Sequence, residues 1–206
     1  MIRIVALGDS TTAGTPGFQS PLEAPPAGRG DVRSQYAWWL MRARPGWEVL
    51  NRGVNGERSD QIAARFERDV LSAAPDALIV IAGVNDIYQG RPADDVIEQL
   101  QRMYDEALRR GIRLVAGTIV PYNTATPEQN GRMRQVNAWV REWSGRSAIA
   151  VADTRAVVAA ASDPDRLFES PDELHPSVGG YRRMADALLP AIERAISDLT
   201  GRTSTA

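Results

Sequence analysis

The chain has 206 residues, 43% of them apolar and 24% charged, with no cysteine, a single histidine and a formal charge of -2. This composition excludes a disordered or fibrous protein and suffices for one packed domain. Without cysteine there are no disulfides, thiol nucleophiles, iron–sulfur clusters or cysteine zinc sites, and no metal or cofactor is expected. The charge balance gives no net pull toward nucleic acid or anionic lipid, so neither is an expected partner.

Residues 2–7 open the chain as a short β-branched run, without the basic region and long apolar stretch of a secretion signal. A cytoplasmic location is the expectation. No apolar run approaches the length that crosses a bilayer, which predicts no integral membrane association. After this first strand comes a Pro/Gly-rich connection over 15–31, long enough to suggest a functional loop. A helix follows at 34–43, then a strand at 47–50 and a helix at 59–73. The strand at 76–82 is apolar almost throughout, the signature of a strand buried on both faces of a parallel sheet. Next come a helix at 93–110, a strand at 112–119, a helix at 127–143, a strand at 148–152 and a final helix at 177–199. Alternation of this kind predicts an α/β fold: a three-layer α/β/α sandwich on a five-stranded parallel sheet in the flavodoxin-like order 2-1-3-4-5. A single domain over 1–200 and a polar tail over 201–206 are expected.

Open parallel sheets bind ligands beyond the carboxyl ends of their strands, so the residues there carry the functional reading. Strand one ends in Gly8-Asp9-Ser10, placing a hydroxyl on the exit turn. In isolation such a serine reads as a helix cap. Strand two is followed by Asn51-Arg52-Gly53-Val54-Asn55-Gly56, and strand three by Gly83-Val84-Asn85-Asp86, whose Asn85 can aim an amide at developing negative charge. Strands two, one and three are neighbours in the predicted order, so these turns converge. The only imidazole, His175, lies in Asp172-Glu173-Leu174-His175-Pro176, with a carboxylate three residues upstream that can fix its tautomer.

These four blocks resemble the SGNH hydrolases, the GDSL-type lipase/esterase family: Gly8-Asp9-Ser10, the Gly56 turn, Gly83-x-Asn85-Asp86 and Asp172-x-x-His175-Pro176, in the family's order and extending over most of the chain. Thr11 departs from the leucine of the family's name motif at a position without a catalytic group. The resemblance implies Ser10 as nucleophile, His175 as general base and then acid, and Asp172 as its orienting carboxylate. It implies an oxyanion hole made of the Ser10 and Gly56 N–H groups and the Asn85 amide, with Gly53 as the competing glycine. Two-step hydrolysis of a small-molecule carboxylic ester follows, without cofactor. Short-chain or acetyl esters, including those of carbohydrates, are the expected substrates; lysophospholipase or thioesterase activity is the alternative within the family. Asp9, Tyr122 and Asn123 are the expected substrate-binding residues.

Two other chemistries compete, as does a non-enzymatic binding module on the same fold, since architecture alone does not imply catalysis. Ser10-Thr11-Thr12-Ala13-Gly14-Thr15 looks like the phosphate loop of a flavodoxin-like FMN-binding protein, but Asp9 and the prolines that follow oppose it. Asp9, Asp86 and Asp172 could serve as hard ligands for magnesium, which leaves the histidine without a role. The tryptophans at 38, 39, 139 and 143 fall on predicted helices and read as packing residues.

Overall fold

The computed structural model describes residues 1–146 and 149–200; the expected tail at 201–206 lies outside the described residues. Five parallel strands form the central sheet: β1 (Ile2–Gly8), β2 (Trp47–Gly53), β3 (Ala77–Ile81), β4 (Arg113–Gly117) and β5 (Ala150–Ala152). Their spatial order is β2-β1-β3-β4-β5, the predicted order 2-1-3-4-5. Every residue of β3 is buried, as its continuous apolar run demands.

Alternate residues of the strands feed two cores, because successive side chains point to opposite faces. Ile4, Ala6, Ala77, Ile79 and Ile81 pack with α2 (Tyr36–Ala43) and with the long C-terminal helix Val178–Ala195. Val5, Leu7, Leu78 and Val80 pack on the other face. There they meet α3 (Ser59–Ala64), α4 (Phe66–Asp69), the helix Ala93–Arg109 and the helix Pro127–Arg146. Each fully buried aliphatic side chain stabilises the fold by about 1.5–3 kcal/mol. Trp139 and Trp143 gather around Tyr104, with ring centroids 5.9 and 5.2 Å away, and act as the packing residues their spacing predicts.

The helix expected over 59–73 is broken. α3 ends at Ala64, α4 begins at Phe66, and a separate 3-10 turn covers Leu71–Ala73. Arg65 leaves helical geometry at the junction (φ -102°, ψ 10°) and turns its guanidinium inward to bonds that local periodicity does not reveal. The long connection over 15–31 is not featureless: Phe18–Gln19 pairs antiparallel with Arg29–Gly30. A second small ribbon, Ala159–Ala160 with Asp163–Leu167, precedes the histidine loop and was not predicted.

Register brings the strand ends level. Gly8 at the end of β1 pairs with Gly53 of β2 on one side and with Ile81 of β3 on the other. The three turns that leave these strands therefore start side by side.

Candidate active site

Ser10 opens a single buried helical turn, α1 (Ser10–Ala13), directly after β1. Asp9 caps this turn, its Oδ1 accepting the Thr11 N–H at 2.9 Å. The first N–H groups of a helix lack intrahelical acceptors, so the Ser10 N–H is free of the helix's own ladder. The turn is tied to β2 by Asn51, whose Nδ2 donates to the Ala13 carbonyl at 3.0 Å.

His175 reaches Ser10 from the loop before the C-terminal helix. Its Nε2 lies 3.0 Å from Ser10 Oγ, and its Nδ1 lies 2.7 Å from Asp172 Oδ2. The other carboxylate oxygen, Asp172 Oδ1, accepts the backbone N–H groups of Leu174 at 3.0 Å and His175 at 2.8 Å. Partial burial would raise the Asp172 carboxyl, but the bonds from the His175 ring and these two N–H groups outweigh it and hold Asp172 below the usual carboxylate range. An ionised carboxylate only accepts, so Nδ1 carries the proton and Nε2 presents its lone pair to the serine. The loop is anchored on both sides. Glu173, in left-handed backbone (φ 65°), offers its carbonyl to the Asn123 N–H at 2.7 Å. Ser177 caps the following helix through Gly180 N–H at 3.1 Å.

Asn85 stands on α5 (Val84–Tyr88), just past β3, and its Nδ2 donates to the Glu57 carbonyl at 2.9 Å. The neighbouring Asp86 is fully buried and accepts both the N–H and the hydroxyl of Ser59 at 2.8 Å. The two candidate glycines separate by geometry. Gly53 donates its N–H to Asn51 Oδ1 at 2.9 Å, and a Cβ there would lie 2.0 Å from the Ala13 nitrogen. Its part is to let α1 lie against β2. Gly56 sits in an open turn at φ 79°, with nothing within 4 Å of a Cβ position.

A cavity of about 160 Å³ is lined by Ser10, Thr11, Asn55, Val84, Asn85, Tyr88, Tyr122, Leu174 and His175; the predicted Gly56 adjoins it through Asn55 but is not among its lining residues, nor is Asp172. Tyr122 lines this cavity. Asp9 does not: it is 1% exposed, its carboxyl faces the helix cap, and burial pushes that carboxyl up to about 7 against the pull of the Thr11 N–H. Asn123 also lies outside the cavity lining, its Oδ1 held by the Leu167 N–H at 2.7 Å. Thr11, Asn55, Val84, Tyr88 and Leu174 were missed, although each is within one residue or a few of an identified motif position. Beside this cavity, and sharing Asn55 with it, the 15–31 connection forms a second groove of about 430 Å³ bordered by Thr15, Gln19, Glu23 and Arg29. Asp9, Asp86 and Asp172 do not assemble a cation site; among the described residues no group of three His, Cys, Asp or Glu does so. Among the described residues no helix is long and apolar enough to cross a membrane.

A hydroxyl, an imidazole and a carboxylate lie in hydrogen-bonded series at the carboxyl edge of a parallel sheet, beside a cavity that Asn85 also lines. Residues 6–183 match the model of the GDSL-like lipase/acylhydrolase family, and the chain belongs to that family of carboxylic ester hydrolases. It is 27% identical over 161 residues to an acetylxylan esterase of Geobacillus stearothermophilus, covering 71% of this chain and 73% of that one. It is also 29% identical over 130 residues to an uncharacterized lipoprotein, YqeF, of Bacillus subtilis, covering 57% of this chain and about half (48%) of the lipoprotein. Among solved structures, a G-D-S-L family lipolytic protein of Veillonella parvula superposes with a TM-score of 0.78 at 21% identity, covering 94% of this chain and 100% of the other. The acetylxylan esterase Axe2 of Geobacillus stearothermophilus superposes with a TM-score of 0.73 at 23% identity, covering 93% and 94%. Both share the fold.

Proposed function

We propose that this ester hydrolase works through a Ser10–His175–Asp172 triad and removes short acyl groups, above all acetyl, from carbohydrate hydroxyls. The observation that carries the reading is the series of contacts from Asp172 through His175 to Ser10 Oγ, 2.7 and 3.0 Å long. Ser10 Oγ attacks the acyl carbon while His175 Nε2 takes its proton, and Asp172 stabilises the imidazolium that forms. Negative charge develops on the carbonyl oxygen, where the Ser10 and Gly56 N–H groups and the free N–H of the Asn85 amide receive it. His175 then returns the proton to the departing alcohol, leaving an acyl-serine. Water attacks this ester, giving a proton to His175, which returns it to Ser10 Oγ as the acid is released.

The acetyl preference is supported by the modest cavity beside Ser10, about 160 Å³ and bounded by Val84, Tyr88, Tyr122 and Leu174. The adjoining polar groove bordered by Gln19, Glu23 and Arg29 offers hydrogen-bonding groups to a sugar on the alcohol side. The acetylxylan esterase relative agrees with such a substrate.

The test is acetate release from acetylated xylooligosaccharides together with rates on p-nitrophenyl acetate, octanoate and palmitate. A serine-directed organophosphonate should label Ser10, and Ser10→Ala should abolish both labelling and turnover. Labelling at another residue overturns the triad; strong preference for palmitate overturns the substrate in favour of a lipid or thioester acyl chain.

A further inference from the structure

Arg65 breaks a helix and is 5% exposed, yet no step of the reaction above uses it. Its three nitrogens point to three different segments. Nε donates to Glu57 Oε2 at 2.6 Å, Nη1 to Asp69 Oδ2 at 2.7 Å and Nη2 to the Gly8 carbonyl at 2.8 Å. Gly8 lies two residues before Ser10, and its carbonyl also accepts the Val54 N–H at 3.2 Å, which ties it to the turn holding Gly56. Glu57 follows Gly56, and its own carbonyl orients the Asn85 amide at 2.9 Å. Each segment that carries an oxyanion donor is thus joined to this guanidinium directly or through one further hydrogen bond.

We propose that Arg65 is a positioning residue that holds the three oxyanion donors in mutual register. The proposal rests on the catalytic reading above. A planar, permanently charged fork can satisfy acceptors in several directions at once, whereas an ammonium on a flexible stem is a point charge without that fixed geometry. Glu57 is the partner that transmits the constraint: one guanidinium contact fixes its side chain while its backbone carbonyl fixes Asn85. Asp69 neutralises the guanidinium from α4 and contacts none of the donor segments. Oxyanion donors act only within a narrow range of distance, and a displacement of about 1 Å costs roughly 100-fold in rate.

The test is a mutant cycle on p-nitrophenyl acetate. Arg65→Lys, Arg65→Gln and Glu57→Gln should each lower kcat by roughly 10- to 100-fold while KM stays within about threefold. Asp69→Asn should lower Tm but leave kcat close to wild type at a temperature well below the transition. A merely structural role would make the Arg65 and Asp69 variants behave alike and overturns the proposal. Introduced on top of Asn85→Ala, Arg65→Gln should cost clearly less than it does alone, because the donor that Glu57 orients is already gone while the other two still depend on Arg65. Fully multiplicative losses overturn it. If Arg65→Gln does not fold, Arg65→Lys and Glu57→Gln carry the same comparison. Retained turnover in Ser10→Ala would instead defeat the triad itself, whereas multiplicative losses with an inactive Ser10→Ala would defeat only the role of Arg65.

Discussion

Asn85 gives one N–H of its side-chain amide to the carbonyl of Glu57, 28 residues away in sequence and 2.9 Å away in space. That bond takes one of the two amide N–H groups and fixes the side chain at the cavity that Asn85 lines, so that on the proposed reading the other N–H serves the oxyanion. Preorganised donors of this kind are effective because they do not reorient when charge develops. Asn85→Ala is therefore expected to lower kcat by about 100- to 1000-fold with little change in KM, which steady-state kinetics on p-nitrophenyl acetate will check. A rise in KM with unchanged kcat would assign Asn85 to ground-state binding.

Asp172→Asn should leave the loop largely in place, since an amide oxygen can still accept the Leu174 and His175 N–H groups. It removes the carboxylate that fixes the proton on His175 Nδ1. A loss of roughly 100- to 10,000-fold in kcat is expected, with a modest fall in Tm at neutral pH because the stabilising contribution of the ionised carboxylate is lost. Single-turnover acylation measured beside thermal unfolding separates the two effects.

The two glycines after β2 predict opposite failures. A Cβ at Gly53 would lie 2.0 Å from the Ala13 nitrogen, so Gly53→Ala should destabilise the fold severely. At Gly56 a Cβ meets nothing, but the backbone is left-handed at φ 79°. Gly56→Ala should fold at a cost of about 1–2 kcal/mol and lose activity out of proportion to that cost, as the turn relaxes and its N–H moves. Tm and kcat measured on both variants decide the matter.

Asp9 gives a pH dependence of stability opposite to that of an ordinary ion-paired carboxylate. Burial raises it from 3.8 to about 7, with the nearby Asp86 adding to the rise and Arg65 opposing it. Between about pH 4 and 7 the folded protein keeps a proton that the unfolded chain has released. The contribution of Asp9 is full below that window and is lost as pH rises through it. Asp172, held below its usual range, works the other way and loses its contribution as pH falls. Asp9→Asn keeps an acceptor for the Thr11 N–H without the charge. It should be more stable than wild type at pH 8, by an amount on the order of a few kcal/mol, and similar at pH 4. Thermal unfolding at the two pH values checks this.

What could be read from the sequence was what short-range chemistry writes there. The β-branched runs of β1 and β3, the glycines at their ends and the Asp172-x-x-His175 spacing all declare themselves locally, and together they lead to one edge of the sheet. The break at Arg65 was not legible, because its cause is a guanidinium bonded to Gly8, 57 residues earlier. Asn123 seemed available to substrate; its side chain is engaged by Leu167, 44 residues later, in a ribbon without a strong periodic pattern. Asp9 seemed to face the ligand because it adjoins Ser10, whereas the cap it forms turns its carboxyl away from the cavity. At Arg65 and Asn123 the deciding partner lies far along the chain, whereas at Asp9 it is the local cap on Thr11.

The hydroxyl and the imidazole that meet at 3.0 Å are separated by 165 residues. During synthesis Ser10 therefore emerges well before the imidazole that it meets. The loop that carries it is then fastened by Ser177 and the helix beyond. On the proposed reading, a chain that stops short of His175 holds a silent serine, and ester cleavage becomes a report that the histidine loop has docked against Ser10.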